Sequence, residues 1–155
     1  MNLRYKKRTV TILSLGDKKV MGRNPFSLFS EKTVLVADDS DMNNSVVRTI
    51  LERYGMNVIV AQNGAEAVER FSQSKPFSIC VVLMDIAMPV MDGFEAAKTI
   101  RNLPRPDSAT TPIIAVTASV EPADKKKTFD CGMTDFLTKP IVPETLCQTI
   151  GRYLE

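Results

Sequence analysis

Two stretches decide the fold: TVLVADD at residues 33–39 and ICVVLMDIAMPVMDG at residues 79–93. Each begins with a run of apolar, largely β-branched residues, which predicts a short strand buried on both faces. Aspartate follows each run, and a segment with helical spacing of apolar residues comes next. A buried strand that leads into a helix is the repeating unit of a parallel sheet covered by helices.

The same alternation of strand and helix continues along the chain. The predicted strands are Thr33–Ala37, Asn57–Ala61, Ile79–Met84, Ile113–Val116 and Asp135–Thr138. The predicted helices are Asn43–Tyr54, Ala65–Ser74, Phe94–Asn102, Ala123–Cys131 and Glu144–Leu154. In the first helix the apolar positions at helical spacing are Val46, Val47, Ile50, Leu51 and Tyr54. Five βα units with short connections predict an α/β fold: a five-stranded parallel sheet with right-handed crossovers and helices on both faces.

Charge divides the chain near residue 30. Residues 1–30 hold seven basic residues and one acidic residue, whereas residues 31–155 hold 13 basic and 17 acidic residues, so the net charges are +6 and −4. We therefore predict a basic N-terminal extension or linker at 1–30 and a folded domain at 31–155. The extension is either a solvated linker or a contact for a nucleic acid, a membrane surface or a partner protein.

Missing residue types exclude several kinds of chemistry. The 155-residue chain has no His, which excludes Ser-His-Asp triads and His-ligated zinc. Its three Cys form no CxxC pair, a usage typical of reduced thiols in the cytoplasm. No apolar run reaches the roughly 18 residues that a membrane-spanning helix needs. The sequence therefore predicts a cytoplasmic location and no membrane span.

Polar residues follow four of the five predicted strands: Asp38 and Asp39 the first, Asp85 the third, Thr117 the fourth and Lys139 the fifth. The carboxyl ends of parallel strands meet at one edge, where open α/β sheets bind their ligands. Carboxylates ~5 Å apart repel by about 3 kcal/mol per pair at an effective dielectric of about 20, so a cation must relieve such a cluster. Oxygen ligands without His or Cys favour Mg²⁺, Mn²⁺ or Ca²⁺.

Lysine and threonine beside such a cluster suit a phosphoryl group. Lys139 supplies a compact positive charge, and Thr117 can donate a hydrogen bond to phosphoryl oxygens. A carboxylate can itself accept the group and form an aspartyl phosphate. This edge of the sheet is therefore predicted to carry a phosphorylatable aspartate beside a divalent metal ion.

Four motifs resemble those of the receiver domains of two-component response regulators: VADD at 36–39, MDIAMPVMDG at 84–93, VTAS at 116–119 and FLTKP at 136–140. The resemblance covers residues 33–154 and is closest to receivers of hybrid histidine kinases. The chain is then either a stand-alone receiver or a piece of a larger hybrid kinase. The resemblance implies a flavodoxin-like, doubly wound sheet with strand order 2-1-3-4-5.

The resemblance also implies how a metal ion and the phosphoryl group are held. Asp85 is the phosphoacceptor, and it binds Mg²⁺ together with Asp38, Asp39 and the main-chain carbonyl of Ala87. Mn²⁺ is a potential substitute for Mg²⁺. The side chain of Lys139 contacts the phosphoryl oxygens, and the bond between Lys139 and Pro140 is expected to be cis.

The same resemblance assigns a switch and a signalling function. Thr117 also contacts the phosphoryl group, and its movement toward the phosphate lets the ring of Phe136 turn inward. The expected partner is a histidine kinase or a histidine-phosphotransfer protein that docks near Met42–Val46. Phosphorylation then changes a protein-binding surface, or the phosphoryl group passes onward. The domain is expected to be a phosphoacceptor rather than an enzyme, and to bind no nucleic acid directly.

Two other classes of protein stay open as alternatives. The first is a pseudo-receiver, which binds partners without being phosphorylated. The second is a haloacid-dehalogenase-like phosphatase, which also uses a nucleophilic Asp on an α/β sheet. Such a phosphatase needs an acid at or near Ala87 to protonate the leaving group and to activate water, which alanine cannot do.

Overall fold

A computed structural model describes residues 25–119 and 121–154 of the chain. Its five strands form one parallel sheet in the order β2-β1-β3-β4-β5. The strands are β1 (Thr33–Ala37), β2 (Asn57–Ala61), β3 (Ile79–Asp85), β4 (Ile113–Thr117) and β5 (Asp135–Thr138). This order confirms the predicted flavodoxin-like, doubly wound fold.

Six helices lie in the described part of the chain. They are α1 (Pro25–Phe29), α2 (Asp41–Glu52), α3 (Gly64–Gln73), α4 (Gly93–Arg101), α5 (Pro122–Asp130) and α6 (Pro143–Arg152). The five helices after α1 confirm the predicted ones, with shifts of two residues or fewer at each end. None of the helices described here is long and apolar enough to cross a membrane.

Side chains of β1 show why the sheet is buried on both faces. Val34 and Val36 pack into a core beneath α1, α2 and α6, whereas Leu35 and Ala37 pack into a second core beneath α3 and α4. Successive residues of a strand point to opposite faces, so a sheet with two covered faces needs apolar residues at every position. The unbroken apolar run at residues 34–37, buried at every position, meets this requirement.

Helix α1 belongs to the packed structure although it lies before residue 31. Its residues Leu28 and Phe29 are buried in the first core, and the ring of Phe29 lies 5.6 Å from the ring of Tyr54. The core thus includes two residues of the segment that the sequence assigned to a basic extension. The rest of that predicted extension, residues 1–24, lies outside the described residues.

Candidate functional site

Three carboxylates meet at the carboxyl edge of the sheet. Asp38 and Asp39 follow β1, and Asp85 is the last residue of the neighbouring strand β3. Each offers one oxygen, and these oxygens all lie within 4.8 Å of one another. Asp38 and Asp85 are buried, whereas Asp39 is exposed. Two of the three negative charges are therefore held where water screens them poorly.

One ammonium group opposes these carboxylates. Lys139 follows β5, and its Nζ lies 3.1 Å from Oδ2 of Asp38 and 3.2 Å from Oδ2 of Asp85. The peptide bond between Lys139 and Pro140 is cis, as the resemblance implied. With all four groups ionised, three negative charges and one positive charge leave a net charge of −2.

Asp85 has a pKa above the ordinary value of an Asp side chain. Burial is the main reason that the pKa of Asp85 is raised; the charge of Asp38 adds to it, Lys139 opposes it, and Asp39 adds a smaller amount. Burial alone would lower the pKa of Lys139, but hydrogen bonds and charges from Asp38 and Asp85 outweigh burial and raise it. The lysine therefore offsets only part of the repulsion around Asp85.

The first turn of α2 holds Asp38 in place. The main-chain N–H of Ser40 donates to Oδ1 of Asp38 at 2.8 Å, and Nδ2 of Asn43 donates to Oδ2 at 3.2 Å. Nδ2 of Asn44 donates to the main-chain oxygen of Asp38 at 2.8 Å, in a buried position. Neither asparagine was predicted to belong to the site. The one indication in the sequence was that position 44 lies at helical spacing from Val47 and Leu51, on the inward face of the predicted helix.

The β3–α4 loop brings the start of α4 against Asp85. The main-chain N–H of Gly93 donates to the oxygen of Ile86 at 2.9 Å, and the carboxylate of Asp92 caps the helix by accepting from the N–H of Glu95 at 2.8 Å. A Cβ atom at Gly93 would collide with the main-chain oxygen of Asp85. Glycine is therefore required for this close approach. Ala87 lies exposed in the same loop, two residues beyond Asp85.

Thr117 lies beside the cluster at the end of β4. Asp85 pairs with Val116 across the sheet, so Thr117 is one residue further along the neighbouring strand. The main-chain oxygen of Thr117 accepts a hydrogen bond from the N–H of Lys139 at 2.8 Å. Its hydroxyl oxygen accepts from the N–H of Ser119 at 3.0 Å. The threonine thus connects β4 to the segment that carries the lysine.

Phe136 lies on β5, one strand away from Thr117, and pairs with Ala115. It is half-buried, and its ring meets the ring of Phe129 edge to face, with centroids 6.3 Å apart. The Nζ of Lys125 lies 5.0 Å from the centroid of the Phe136 ring. Both neighbours belong to α5, so the position of Phe136 is linked to the position of that helix.

The donor set fits a hard divalent cation. All three candidate ligand atoms of the cluster are carboxylate oxygens, which Mg²⁺ and Mn²⁺ prefer. Burial raises the pKa of Cys80 and of Cys147 to about 11, which keeps both thiols protonated at neutral pH. A net charge of −2 also matches the charge of one such ion.

The sequence matches a known family over most of its length. Residues 34–151 match the family model described as the response regulator receiver domain. The chain is 38% identical over 128 residues to hybrid signal transduction histidine kinase I of Dictyostelium discoideum, covering 79% of the chain and 7% of that protein. It is 40% identical over 121 residues to the histidine-protein kinase BarA of Escherichia coli K12, covering 78% of the chain and 13% of BarA. The chain therefore spans only a small part of these curated relatives.

Solved structures of receivers resemble the fold. Chemotaxis protein CheY4 of Vibrio cholerae superposes with a TM-score of 0.73 at 33% identity, covering 80% of this chain and 99% of CheY4. A second similar structure is the receiver domain of sensor histidine kinase PA1611 of Pseudomonas aeruginosa, which has a magnesium ion in its active-site cleft. It superposes with a TM-score of 0.72 at 28% identity, covering 81% of this chain and 98% of the PA1611 domain. The third is the Saccharomyces cerevisiae complex of the histidine phosphotransfer protein Ypd1 with the Ssk1 receiver domain. The match has a TM-score of 0.73 at 31% identity and covers 81% of this chain and 90% of the matched chain.

The family match, the strand order and the position of the acidic cluster at the carboxyl edge of the sheet all indicate a receiver domain. The homologues of this chain by sequence are receiver domains of hybrid histidine kinases. The chain belongs to the response regulator receiver domain family of two-component phosphorelays.

Proposed function

We propose that this domain accepts a phosphoryl group from a phosphohistidine onto Asp85 in a reaction that needs Mg²⁺. One observation carries the proposal: three carboxylate oxygens lie within 4.8 Å of one another, and the lysine beside them neutralises only one charge. Such repulsion destabilises the metal-free fold. A site completed by a divalent cation accounts for the excess charge.

Asp38, Asp39, Asp85 and the main-chain carbonyl of Ala87 would hold the ion. Bound Mg²⁺, or Mn²⁺ in its place, would offset the charge of the carboxylates and of an incoming phosphoryl group. The PA1611 receiver holds magnesium in its active-site cleft, which supports this role for the equivalent edge of this sheet. Asp38 is held from several sides by Ser40, Asn43 and Asn44, so its carboxylate is already oriented.

The transfer exchanges one phosphorus bond for another. A carboxylate oxygen of Asp85 attacks phosphorus, the bond between phosphorus and the partner's imidazole nitrogen breaks, and the imidazole keeps the electron pair. Lys139 is already within 3.2 Å of Asp85, where its charge can stabilise the transferring group. The hydroxyl of Thr117 can turn from Ser119 to donate to a phosphoryl oxygen. Positioning and charge therefore supply the catalysis.

The phosphorylated domain then signals through a changed surface or passes the group onward. Phosphorylation adds charge and acceptor oxygens at the end of β3. Movement of Thr117 toward these oxygens would free space for the ring of Phe136, which contacts Phe129 and Lys125 of α5. A local change in charge is thereby converted into a different surface around α5 and β5.

The partner is proposed to dock on an apolar groove beside the site. The groove has a volume of about 460 Å³ and is lined by the first two turns of α2 and by residues 139–141. Met42 and Val46 of α2 are exposed along it, at 75% and 48%. The Ypd1–Ssk1 complex shows that a receiver of this fold binds a phosphotransfer protein. An exposed apolar patch next to the acceptor suits such a partner.

Labelling with acetyl phosphate tests the acceptor. We expect the wild-type domain to be labelled in Mg²⁺ and not in EDTA, and Asp85→Asn to lose the label. Asp92→Asn is the matched control, because it neutralises a nearby carboxylate whose capping role asparagine can also fill. Label on Asp85→Asn would move the acceptor elsewhere. Partner binding without any label would favour a pseudo-receiver, and continuous phosphate release would favour a phosphatase.

Transfer from a phosphorylated histidine-phosphotransfer protein tests the docking surface. Met42→Glu should slow this transfer by about tenfold, the effect of losing a modest apolar contact of roughly 1.4 kcal/mol. It should leave labelling by acetyl phosphate unchanged, because that small donor needs no docking surface. Phe77→Glu is the control, since Phe77 is 65% exposed before the amino end of β3. Equal slowing by both variants would place docking elsewhere.

A further inference from the structure

Asn44 occupies an unusual position for an amide. It lies on the inward face of α2 in a row with Val47 and Leu51, and it is only 4% exposed. Its Nδ2 donates to the main-chain oxygen of Asp38 at 2.8 Å. Its Oδ1 is buried and has no hydrogen-bond partner among the described residues. The side chain is therefore satisfied at one end and unsatisfied at the other.

An unsatisfied buried oxygen works against the stability of the fold. Replacing such a group by an apolar side chain of similar size removes that penalty. A buried polar group that lacks a partner in a folded protein needs a specific explanation. Since Oδ1 makes no hydrogen bond with any described residue, we look for the explanation in the hydrogen bond that Nδ2 makes.

Nδ2 controls the peptide that carries the first metal-site carboxylate. The strand ladder ends at Ala37, and the N–H of Asp38 still donates to the oxygen of Ala61 at 3.1 Å. The oxygen of Asp38 instead turns toward α2 and accepts from Asn44. These two hydrogen bonds fix the main chain on both sides of the Asp38 Cα. They thereby fix the directions in which Asp38 and Asp39 leave β1.

We propose that Asn44 is a positioning residue for the acidic cluster: its amide holds the β1–α2 turn so that the carboxylates of Asp38 and Asp39 converge with Asp85. This inference rests on the proposed function in that the cluster is taken to bind Mg²⁺. Asn44 itself would touch neither the ion nor the phosphoryl group. Outer partners of metal ligands commonly contribute about 10- to 100-fold to metal affinity.

The test substitutes Asn44→Leu and measures two quantities on the full chain. Calorimetric titration with Mg²⁺ alone should show that the dissociation constant of the variant is about tenfold or more above that of wild type. The metal-free melting temperature should change little, because leucine removes the unsatisfied Oδ1 but also takes the donor away from the main-chain oxygen of Asp38. A residue that only supports the fold would lower the melting temperature and leave Mg²⁺ affinity intact.

Thr111→Val is the matched control. Thr111 is also buried, and its Oγ1 donates to the main-chain oxygen of Asp107 at 3.0 Å, in the loop before the amino end of β4. Like Asn44→Leu, the substitution removes a buried hydrogen bond from a side chain to a carbonyl, although the oxygen of Asp107 still accepts from the N–H groups of Thr110 and Thr111. It should lower the melting temperature and leave the dissociation constant for Mg²⁺ within about twofold of wild type.

Labelling by acetyl phosphate separates this inference from the proposed function. At saturating Mg²⁺, Asn44→Leu should be labelled within about twofold of the wild-type rate, because only metal affinity has changed. If the wild type binds Mg²⁺ but is never labelled, the proposed function fails and the role of Asn44 is still measured by calorimetry. Asn44→Ala, which cannot overpack the site, is the second variant.

Three results would overturn the inference. The first is a dissociation constant for Mg²⁺ within twofold of wild type in both Asn44→Leu and Asn44→Ala. The second is slow labelling of both variants that saturating Mg²⁺ does not restore. The third is unfolding of both variants, which would make Asn44 a residue of the core.

Discussion

Two buried carboxylates of this domain meet opposite electrostatic surroundings. Asp107, in the loop before β4, is fully buried and accepts hydrogen bonds from Nε and Nη2 of Arg105 and from the N–H of Phe77. Hydrogen bonding to Arg105 is the main reason that its pKa is lowered. Asp85 is 5% exposed and shares one ammonium with Asp38, and its pKa is raised. Asp107 thus forms a matched pair with its own cation, Arg105, whereas the site around Asp85 is mismatched because its carboxylates outnumber its one cation.

The matched pair fastens two parts of the second core. The guanidinium of Arg105 donates to the main-chain oxygens of Phe71 and Ser74, and it lies 4.4 Å from the centre of the Phe71 ring. It thereby ties the end of α3 to the α4–β4 loop. A buried carboxylate that is fully paired with a cation therefore indicates a structural role. An excess of negative charge in a buried cluster indicates a site that a ligand completes.

Breaking the matched pair should give the largest effect on stability. Arg105→Met leaves Asp107 buried without its cation, and we expect the free energy of unfolding to fall by about 3–5 kcal/mol. Urea unfolding measures this loss. The dissociation constant for Mg²⁺ should not change, because the pair lies away from the carboxyl edge. A loss below about 1 kcal/mol would mean that the pair is a surface-like ion pair.

Completing the mismatched site with metal should give the next largest effect. A ligand that binds only the folded state at 100 times its dissociation constant adds about 2.7 kcal/mol to the free energy of unfolding. We expect this gain with Mg²⁺ in the wild type and in Arg105→Met, but a smaller one in Asp85→Asn at the same Mg²⁺ concentration. Urea unfolding with and without EDTA is the measurement. An equal gain in all three proteins would place the ion elsewhere.

Neutralising Asp85 should stabilise the metal-free domain. Asp85→Asn removes a charge that burial and Asp38 both disfavour, and we expect a gain of roughly 1–2 kcal/mol in EDTA at pH 7, less than the ~3 kcal/mol of one full pair because the contact to Lys139 is also weakened. The opposite sign from Arg105→Met is the decisive feature. A loss of stability would show that the lysine fully compensates the cluster.

The pH dependence should give the smallest effect. Because the pKa of Asp85 is higher in the folded than in the unfolded state, its penalty is fully present above the folded pKa and is lost as pH falls through it. Metal-free wild type should therefore gain stability relative to Asp85→Asn as pH falls from neutral toward about 4, the ordinary pKa of an Asp side chain. The lowered pKa of Asp107 acts in the other direction, and only below about pH 4. A constant difference between the two proteins would contradict this assignment.

The sequence predicted most of the fold because the strands are short and apolar at nearly every position. It also predicted that Asp38, Asp39, Asp85, Thr117 and Lys139 lie at one edge, since the carboxyl ends of parallel strands converge. The structure brings the three aspartates and Lys139 together and places Thr117 beside them. The roles of these residues stay predictions until the reaction is measured.

Helix α2 shows where periodicity was insufficient. The apolar pattern placed Val46 on the inward face, but Val46 is 48% exposed and Asn44 is buried instead. An amide enters such a face only because a particular carbonyl, that of Asp38, waits for it. That pairing depends on how the β1–α2 turn is built, which no spacing of apolar residues encodes.

Contacts between distant segments were also beyond the sequence. Residues 104–107 lie between a predicted helix and a predicted strand, and no local pattern indicated the contacts of Arg105 with Phe71 and Ser74, because both partners lie more than 30 residues earlier in the chain. The burial of Leu28 and Phe29 depends in the same way on Tyr54 and on α6. Neither contact leaves a local pattern.

Reductive trapping can identify the aspartate that is phosphorylated. The domain is incubated with acetyl phosphate and Mg²⁺ and treated with borohydride, which converts an aspartyl phosphate into homoserine, and peptide mass spectrometry then locates the converted residue. We expect homoserine at position 85 alone, with no conversion in EDTA. Conversion at Asp38 or Asp39, or none in Mg²⁺, would contradict this expectation.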